Sequence, residues 1–114
     1  MTFRESELAM IEKALYAFLE RKRPPEHIRP KLDFGFRISG QNVELVEIRP
    51  RWDNPSVYEQ QPFARATFIR SQNAWKLFWL RADLKWHAYQ ASMVETIDEV
   101  LAIVEKDEYG CFFG

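Results

Sequence analysis

The sequence predicts an α+β fold: an N-terminal helix, an antiparallel meander of four to five strands and a C-terminal helix, with both helices on one face of the sheet. Three observations carry that prediction. Apolar residues recur at helical spacing near both ends of the chain, and they alternate with polar ones through the middle. The two patterns are separated by short Pro, Gly and Asn breaks rather than linkers. With 114 residues, 46% apolar and 29% charged, the chain reads as a single α+β domain over 1–114.

Residues 3–22 carry Leu8, Ile11, Leu15, Phe18 and Leu19 in one continuous stripe, the mark of an amphipathic helix. Thr2 with Glu5 three residues on reads as a capping box, and Arg21-Lys22-Arg23 suits the negative end of the dipole. Pro24-Pro25 stops the helix. Leu32, Phe34, Phe36 and Ile38 then alternate with Asp33, Gly35, Arg37 and Ser39, a half-buried strand closed by a Gly40-Gln41-Asn42 turn. Val43 and Leu45 follow on one phase and Val46 and Ile48 on the other. That slip predicts a β-bulge or a strand buried on both sides. Pro50 and Pro55 bracket a loop, residues 63–70 form a third strand, Ser71-Gln72-Asn73 a turn and 74–82 a fourth strand; Trp86 to Tyr89 can add a short fifth. Ser92 with Glu95 reads as a second capping box, opening a helix to about Lys106 with Met93, Ile97, Val100, Leu101 and Val104 buried. Tyr109 to Gly114 form a short apolar tail.

The net charge of −1 argues against bulk attraction to nucleic acid or anionic lipid, but the charge is segregated. Residues 21–51 and 60–90 each carry +4, and residues 91–114 carry −5. The single cysteine, Cys111, excludes an intramolecular disulfide and fits a reducing compartment. No apolar run is long enough for a bilayer, and Met1 to Glu5 lack a signal-peptide layout, so the expected location is cytoplasmic, with no membrane partner.

Catalytic chemistry finds little support. His27, His87 and Cys111 do not occur in pairs at metal-ligand spacing, so neither a metal nor a cofactor is expected. Cys111 sits among aromatics, where burial raises a thiol pKa, and no GxSxG elbow or glycine-rich phosphate loop is present. No catalytic residue is assigned, and an enzyme ranks last among the functional readings.

The densest chemistry lies in Trp75 to His87, where Trp79-Leu80-Arg81-Ala82-Asp83-Leu84-Lys85-Trp86-His87 interleaves aromatics and charges. Together with Arg49-Pro50-Arg51-Trp52-Asp53 and the ending Gly110-Cys111-Phe112-Phe113-Gly114, this run resembles a family of small bacterial proteins, domain of unknown function family 3024. The resemblance covers nearly the whole chain and implies a stand-alone bacterial cytoplasmic domain without an assigned activity. From the residues themselves three readings follow. In the structural one, Arg81 pairs with Asp83 across a turn, the tryptophans fill the core and His87 makes a local hydrogen bond. In the second, Arg49, Arg51 and Arg81 grip a small anion or a protein partner at the sheet edge. In the third, bases of a single-stranded nucleic acid stack on Trp while Arg37, Arg65, Arg70, Lys76, Arg81 and Lys85 meet its phosphates.

The reading adopted is a binding module for a protein partner, a second copy of itself or a small anionic ligand, with single-stranded nucleic acid as the alternative. The candidate contact residues are Arg49, Arg51, Trp52, Trp79, Arg81, Asp83, Lys85, Trp86 and His87. The acidic C-terminal helix reads as a solvated face. With both helices on one face, one apolar set of strand 74–82 lacks a lid. Either that face is an interface, or Tyr109, Phe112 and Phe113 fold back over it.

Overall fold

A computed structural model describes residues 2–89 and 93–113. It contains α1 (Glu5–Lys22), β1 (Asp33–Ser39), β2 (Asn42–Pro50), β3 (Tyr58–Ile69), β4 (Ala74–Leu80), β5 (Trp86–Ala88) and α2 (Ile97–Lys106), with a 3₁₀ turn at Arg70–Gln72. The strands form one sheet in the order β1-β2-β3-β4-β5, every neighbouring pair antiparallel. The predicted class and element order therefore hold. α1 packs on β1 and α2 on β4, and the helices touch each other, so their seam lies over the middle strands. The side chains beneath it are Val43, Leu45, Ala64 and Ala66, all buried. Two alanines on the central strand keep the sheet low there, and Leu15, Phe18 and Val104 fill the space above.

The helix ends differ from their predicted caps. Arg4, not Thr2, is the N-cap of α1, and the Glu7 carboxylate accepts from the Arg4 N–H at 2.8 Å. A capping box needs its acid three residues after the true cap, and Glu7 meets that condition where Glu5 does not. The predicted Ser92–Glu95 box lies partly outside the described residues, because Ser92 is among those not described. α2 opens later, at Ile97, capped by the Thr96 hydroxyl, which accepts from the Glu99 N–H at 3.1 Å. Met93 is thus not on the helical stripe. Val94 instead exchanges backbone hydrogen bonds with Trp75, which holds the approach to α2 extended against β4.

Strand limits also shift. Pro50 ends β2 rather than opening the loop, β3 starts five residues before the predicted 63, and β4 stops at Leu80 rather than 82. The polar start of β3, Tyr58 to Gln61, is paired by β2 although it carries no apolar alternation. The phase slip has a definite origin. Leu45 pairs with Ala64 and Val46 with Pro62, so Phe63 is the extra residue of a bulge on β3. β2 itself alternates normally and is buried on both sides, Leu45 toward the helices and Val46 away from them, so both alternatives read from the slip are present.

The pleat then assigns every strand residue to a face. Phe36, Val43, Leu45, Ala64, Ala66, Phe68, Trp75, Leu77 and Trp79 share the helix side. The bulge turns Phe63 to that side too, where it meets Phe34 and Phe113 at ring-centroid distances of 6.0 and 5.3 Å. The apolar tail is pinned to the same side. Asp107, left-handed at φ 46°, ends α2, and its carboxylate accepts from the N–H groups of Phe112 and Phe113 at 3.0 and 2.8 Å. Phe112 is buried, and its ring lies 5.0 Å from that of Tyr89. The tail is therefore not a lid over the helix-free face. It completes the core on the side of the helices.

One tie joins α1 to the far end of the sheet. Arg70 donates to both Glu7 oxygens at 3.1 Å and to the Gln41 side chain at 3.1 Å. The Arg70 hydrogen bond, helped by the Arg4 N–H, lowers the Glu7 carboxyl pKa to about 2. A folded pKa below the unfolded value gives stability that is present above the usual 4.5 and is lost as pH falls through about 2. Glu7→Gln should therefore flatten the acid limb of stability in that window. Thermal melts of wild type and variant between pH 2 and pH 6 test it, using the 4.5-to-2 interval as the window of difference; parallel acid limbs would show that the pair contributes nothing.

Candidate binding site: the helix-free face of the sheet

The nine candidate residues fall into two groups on two hairpins. Arg49, Arg51 and Trp52 belong to the β2–β3 hairpin, and Trp79, Arg81, Asp83, Lys85, Trp86 and His87 to the β4–β5 hairpin. Both turns lie at the same end of the sheet. However, β3 pairs with β4 only from Ala64 onward, so the β2–β3 arm runs past the β4–β5 turn. Six residues of β3, Tyr58 to Phe63, have no partner in β4, an overhang of roughly 20 Å at about 3.3 Å per residue. The fold does not bring the groups into one site.

Within the arm, the arginines are already engaged. Arg49 pairs with Glu47 at 3.1 Å, and Arg51 with Asp53 at 2.9 Å and Glu59 at 3.5 Å. Trp52 is 94% exposed, so it is not core, and Val57 and Tyr58 are exposed on the other side of the same hairpin turn. In the β4–β5 turn the expected Arg81–Asp83 pair is replaced. Asp83 meets His87 Nε2 at 2.9 Å and accepts from the Lys85 N–H at 3.0 Å, while Arg81 lies over the Trp79 ring at 5.3 Å. The hydrogen bond with His87, then that from Lys85, holds the Asp83 carboxyl below its ordinary range. Trp79 faces the helices and packs on the core, whereas Trp86 faces the other way. Cys111 is half-buried, and burial pushes its thiol pKa up, away from nucleophilic use.

The helix-free face carries a different constellation. Arg37 on β1, Glu44 on β2 and Arg65 on β3 lie in register across three strands. Arg37 donates from Nε and Nη2 to Glu44 Oε1 at 3.1 and 2.6 Å; Arg65 donates from Nε and Nη2 to Oε2 at 2.9 and 2.6 Å. The Glu44 side chain is 12% exposed. Burial alone would raise its pKa, but the hydrogen bonds from Arg65 and Arg37 outweigh that and hold the carboxyl below its ordinary range. The row continues to β5, where the Arg65 guanidinium lies 4.7 Å from the Trp86 ring centre. On β4, Lys76 sits 5.5 Å from the Phe78 ring centre on the same face. The result is an open cationic surface with two half-buried aromatic rings and, among the described residues, no helix over it.

The position of the turn was legible in the sequence, but its length was not: the expected Gly40-Gln41-Asn42 turn would set Arg37 opposite Leu45, whereas Asn42 belongs to β2. A two-residue turn at Gly40-Gln41, with Gly40 at φ 60°, places Ser39 opposite Asn42 and Arg37 opposite Glu44. Glu44 and Phe78 were missed. The Arg65–Glu44 contact depends on the bulge register, which no local pattern specifies.

Comparison with known proteins adds a family and no more. A family model described as "Domain of unknown function (DUF3024)" matches residues 3–114. The chain belongs to this family. No curated protein and no solved structure matches it. For DUF3024 the match thus supplies membership without a chemistry, and geometry has to carry the functional reading. No helix of the described residues in this DUF3024 chain is long and apolar enough to cross a membrane.

One strained position in this DUF3024 chain adjoins the candidate residues. Leu84, in the β4–β5 turn, holds φ 62° while 76% exposed. The left-handed region costs a branched side chain about 1 kcal/mol or more, and Asn tolerates it. Leu84→Asn should therefore raise stability by about 1 kcal/mol in urea denaturation. An unchanged or lower midpoint would mean that Leu84 makes a compensating contact.

Proposed function

We propose that this protein is a binding module that lays a single-stranded nucleic acid across the helix-free face of its sheet. The observation that carries the reading is the cross-strand row Arg37–Glu44–Arg65–Trp86, flanked by Lys76 over Phe78. Cations supply phosphate contacts, and the half-buried rings together with the Arg65 guanidinium over Trp86 supply surfaces on which bases can stack, all on one face of the sheet. Charge distribution supports the same polarity. The net −5 of residues 91–114 sits with α2 and the tail on the opposite side, which favours an anion on the open face. We read its setting as the bacterial cytoplasm, on the family resemblance and on the lone cysteine.

Labelled single-stranded DNA or RNA should show a rise in anisotropy with the protein at low salt. The affinity should fall with salt at a log–log slope near −2, as expected for about three phosphates. Lys76→Glu and Trp86→Ala should each weaken binding about tenfold. A flat titration at low salt would overturn the reading.

A second reading, docking of a protein partner or a second copy, is favoured by Trp52. A tryptophan 94% exposed at the tip of an overhanging hairpin is a usual anchor for a partner pocket. Sedimentation of wild type should then show concentration-dependent association that Trp52→Ser abolishes. A chain that stays monomeric at high concentration would remove the homodimer.

A further inference from the structure

At the β1–β2 end of the open face, a depression of about 460 Å3 is lined by Arg37, Ile38, Ser39, Asn42, Glu44 and Arg65. Its carboxylate and side-chain amide acceptors are already used. Both Glu44 oxygens receive arginine donors, and the Asn42 side-chain oxygen accepts from the Thr67 hydroxyl at 2.6 Å. What remains are mostly donors. The Nη1 edges of Arg37 and Arg65, the Asn42 amide N–H groups and the Ser39 hydroxyl have no hydrogen-bond partner among the described residues. Each guanidinium is fixed to Glu44 through its Nε and Nη2 edge, so its free edge is presented with little left to order.

We infer that this depression is a phosphate subsite, with Glu44 as the residue that positions the two guanidinium groups. A pocket whose free groups are mostly donors favours a ligand rich in acceptor oxygens, which a phosphate group is. The inference rests on the reading of this face as a nucleic-acid platform, and it names where on that face a phosphate is held. The phosphate is either a terminal monoester or an internal diester of the strand. Glu44 cancels one of the two positive charges, so the subsite favours geometry over bulk attraction.

The test titrates wild type, Arg37→Gln, Ser39→Asp and Glu44→Gln with a short single strand, once 5′-phosphorylated and once not. Arg37→Gln and Ser39→Asp should each weaken binding about tenfold, with the salt slope of Arg37→Gln smaller by about one. A monoester at the subsite makes the 5′-phosphorylated strand the tighter ligand, and a diester makes the two equal. Glu44→Gln makes the face more positive, yet it should bind less tightly, because the guanidinium groups are no longer held. Tighter binding by Glu44→Gln would overturn the positioning role. If wild type binds the strand but Arg37→Gln and Ser39→Asp bind it equally well, the subsite is wrong while the platform stands. If wild type binds neither strand, the platform is wrong and inorganic phosphate decides the subsite. Amide NMR shifts confined to Ser39, Asn42 and their neighbours, absent in Arg37→Gln, support it, and a spectrum unmoved by phosphate overturns it.

Discussion

Among the described residues, both helices and the apolar tail lie on one side of the sheet, and most other features follow from that constraint. α1, α2 and the tail residues Phe112 and Phe113 all pack on the face of Leu45, Ala64 and Leu77. The opposite face must then be sealed by its own side chains. Val46 is 0% exposed there without any helix above it. Gly35, its partner on β1, has no side chain, and a Cβ at that position would lie 3.2 Å from Ile48 Cδ1 and 3.7 Å from Val46 Cγ2. Val46 and Ile48 thus lean over the glycine and close the edge. Further along, long cationic side chains do the covering, Arg65 over Trp86 and Lys76 over Phe78.

That solution leaves the open face both polar and ordered. The heads of Arg37 and Arg65 are pinned by one carboxylate, and the Arg65 guanidinium also lies over the Trp86 ring. Two chelated interactions share Glu44, so the row is stiffer than a set of independent surface pairs, which individually contribute little. The device that keeps the face from being an apolar patch is also the device that arrays guanidinium groups on it. Stability and recognition therefore draw on the same residues.

The bulge at Phe63 links the two faces. An uninterrupted β3 would put Phe63 opposite Val46, on the open side. The extra residue instead sends Phe63 and Ala64 together toward the helices, where Phe63 joins Phe34 and Phe113. It also resets the register of the β2–β3 arm, at whose tip Trp52 is exposed. A single inserted residue thus adds Phe63 to the core on the helix side.

Local pattern determined the element types and their order. The stripe of α1, the period-two run of β1 and a turn at Gly40 are encoded within a few residues. The Arg37–Glu44 pairing is not, because a Gly40-Gln41-Asn42 turn would set Arg37 opposite Leu45 and only the sheet register places Asn42 in β2. Helix starts were less legible, because Thr2, Ser92, Arg4 and Thr96 all stand near an acid at suitable spacing and only packing selects the cap. Tertiary structure alone decided three things. It paired the polar strand Tyr58 to Gln61, whose hydrogen bonds come from β2 and not from any apolar alternation of its own. It sent the apolar tail to the helix side, through the left-handed Asp107 clip. And it set Arg65 beside Glu44 and Trp86, residues 21 positions apart in each direction whose meeting depends on strand order and on the bulge. Sequence fixes periodicity through bonds near in the chain, whereas a site built across five strands exists only once their register is set.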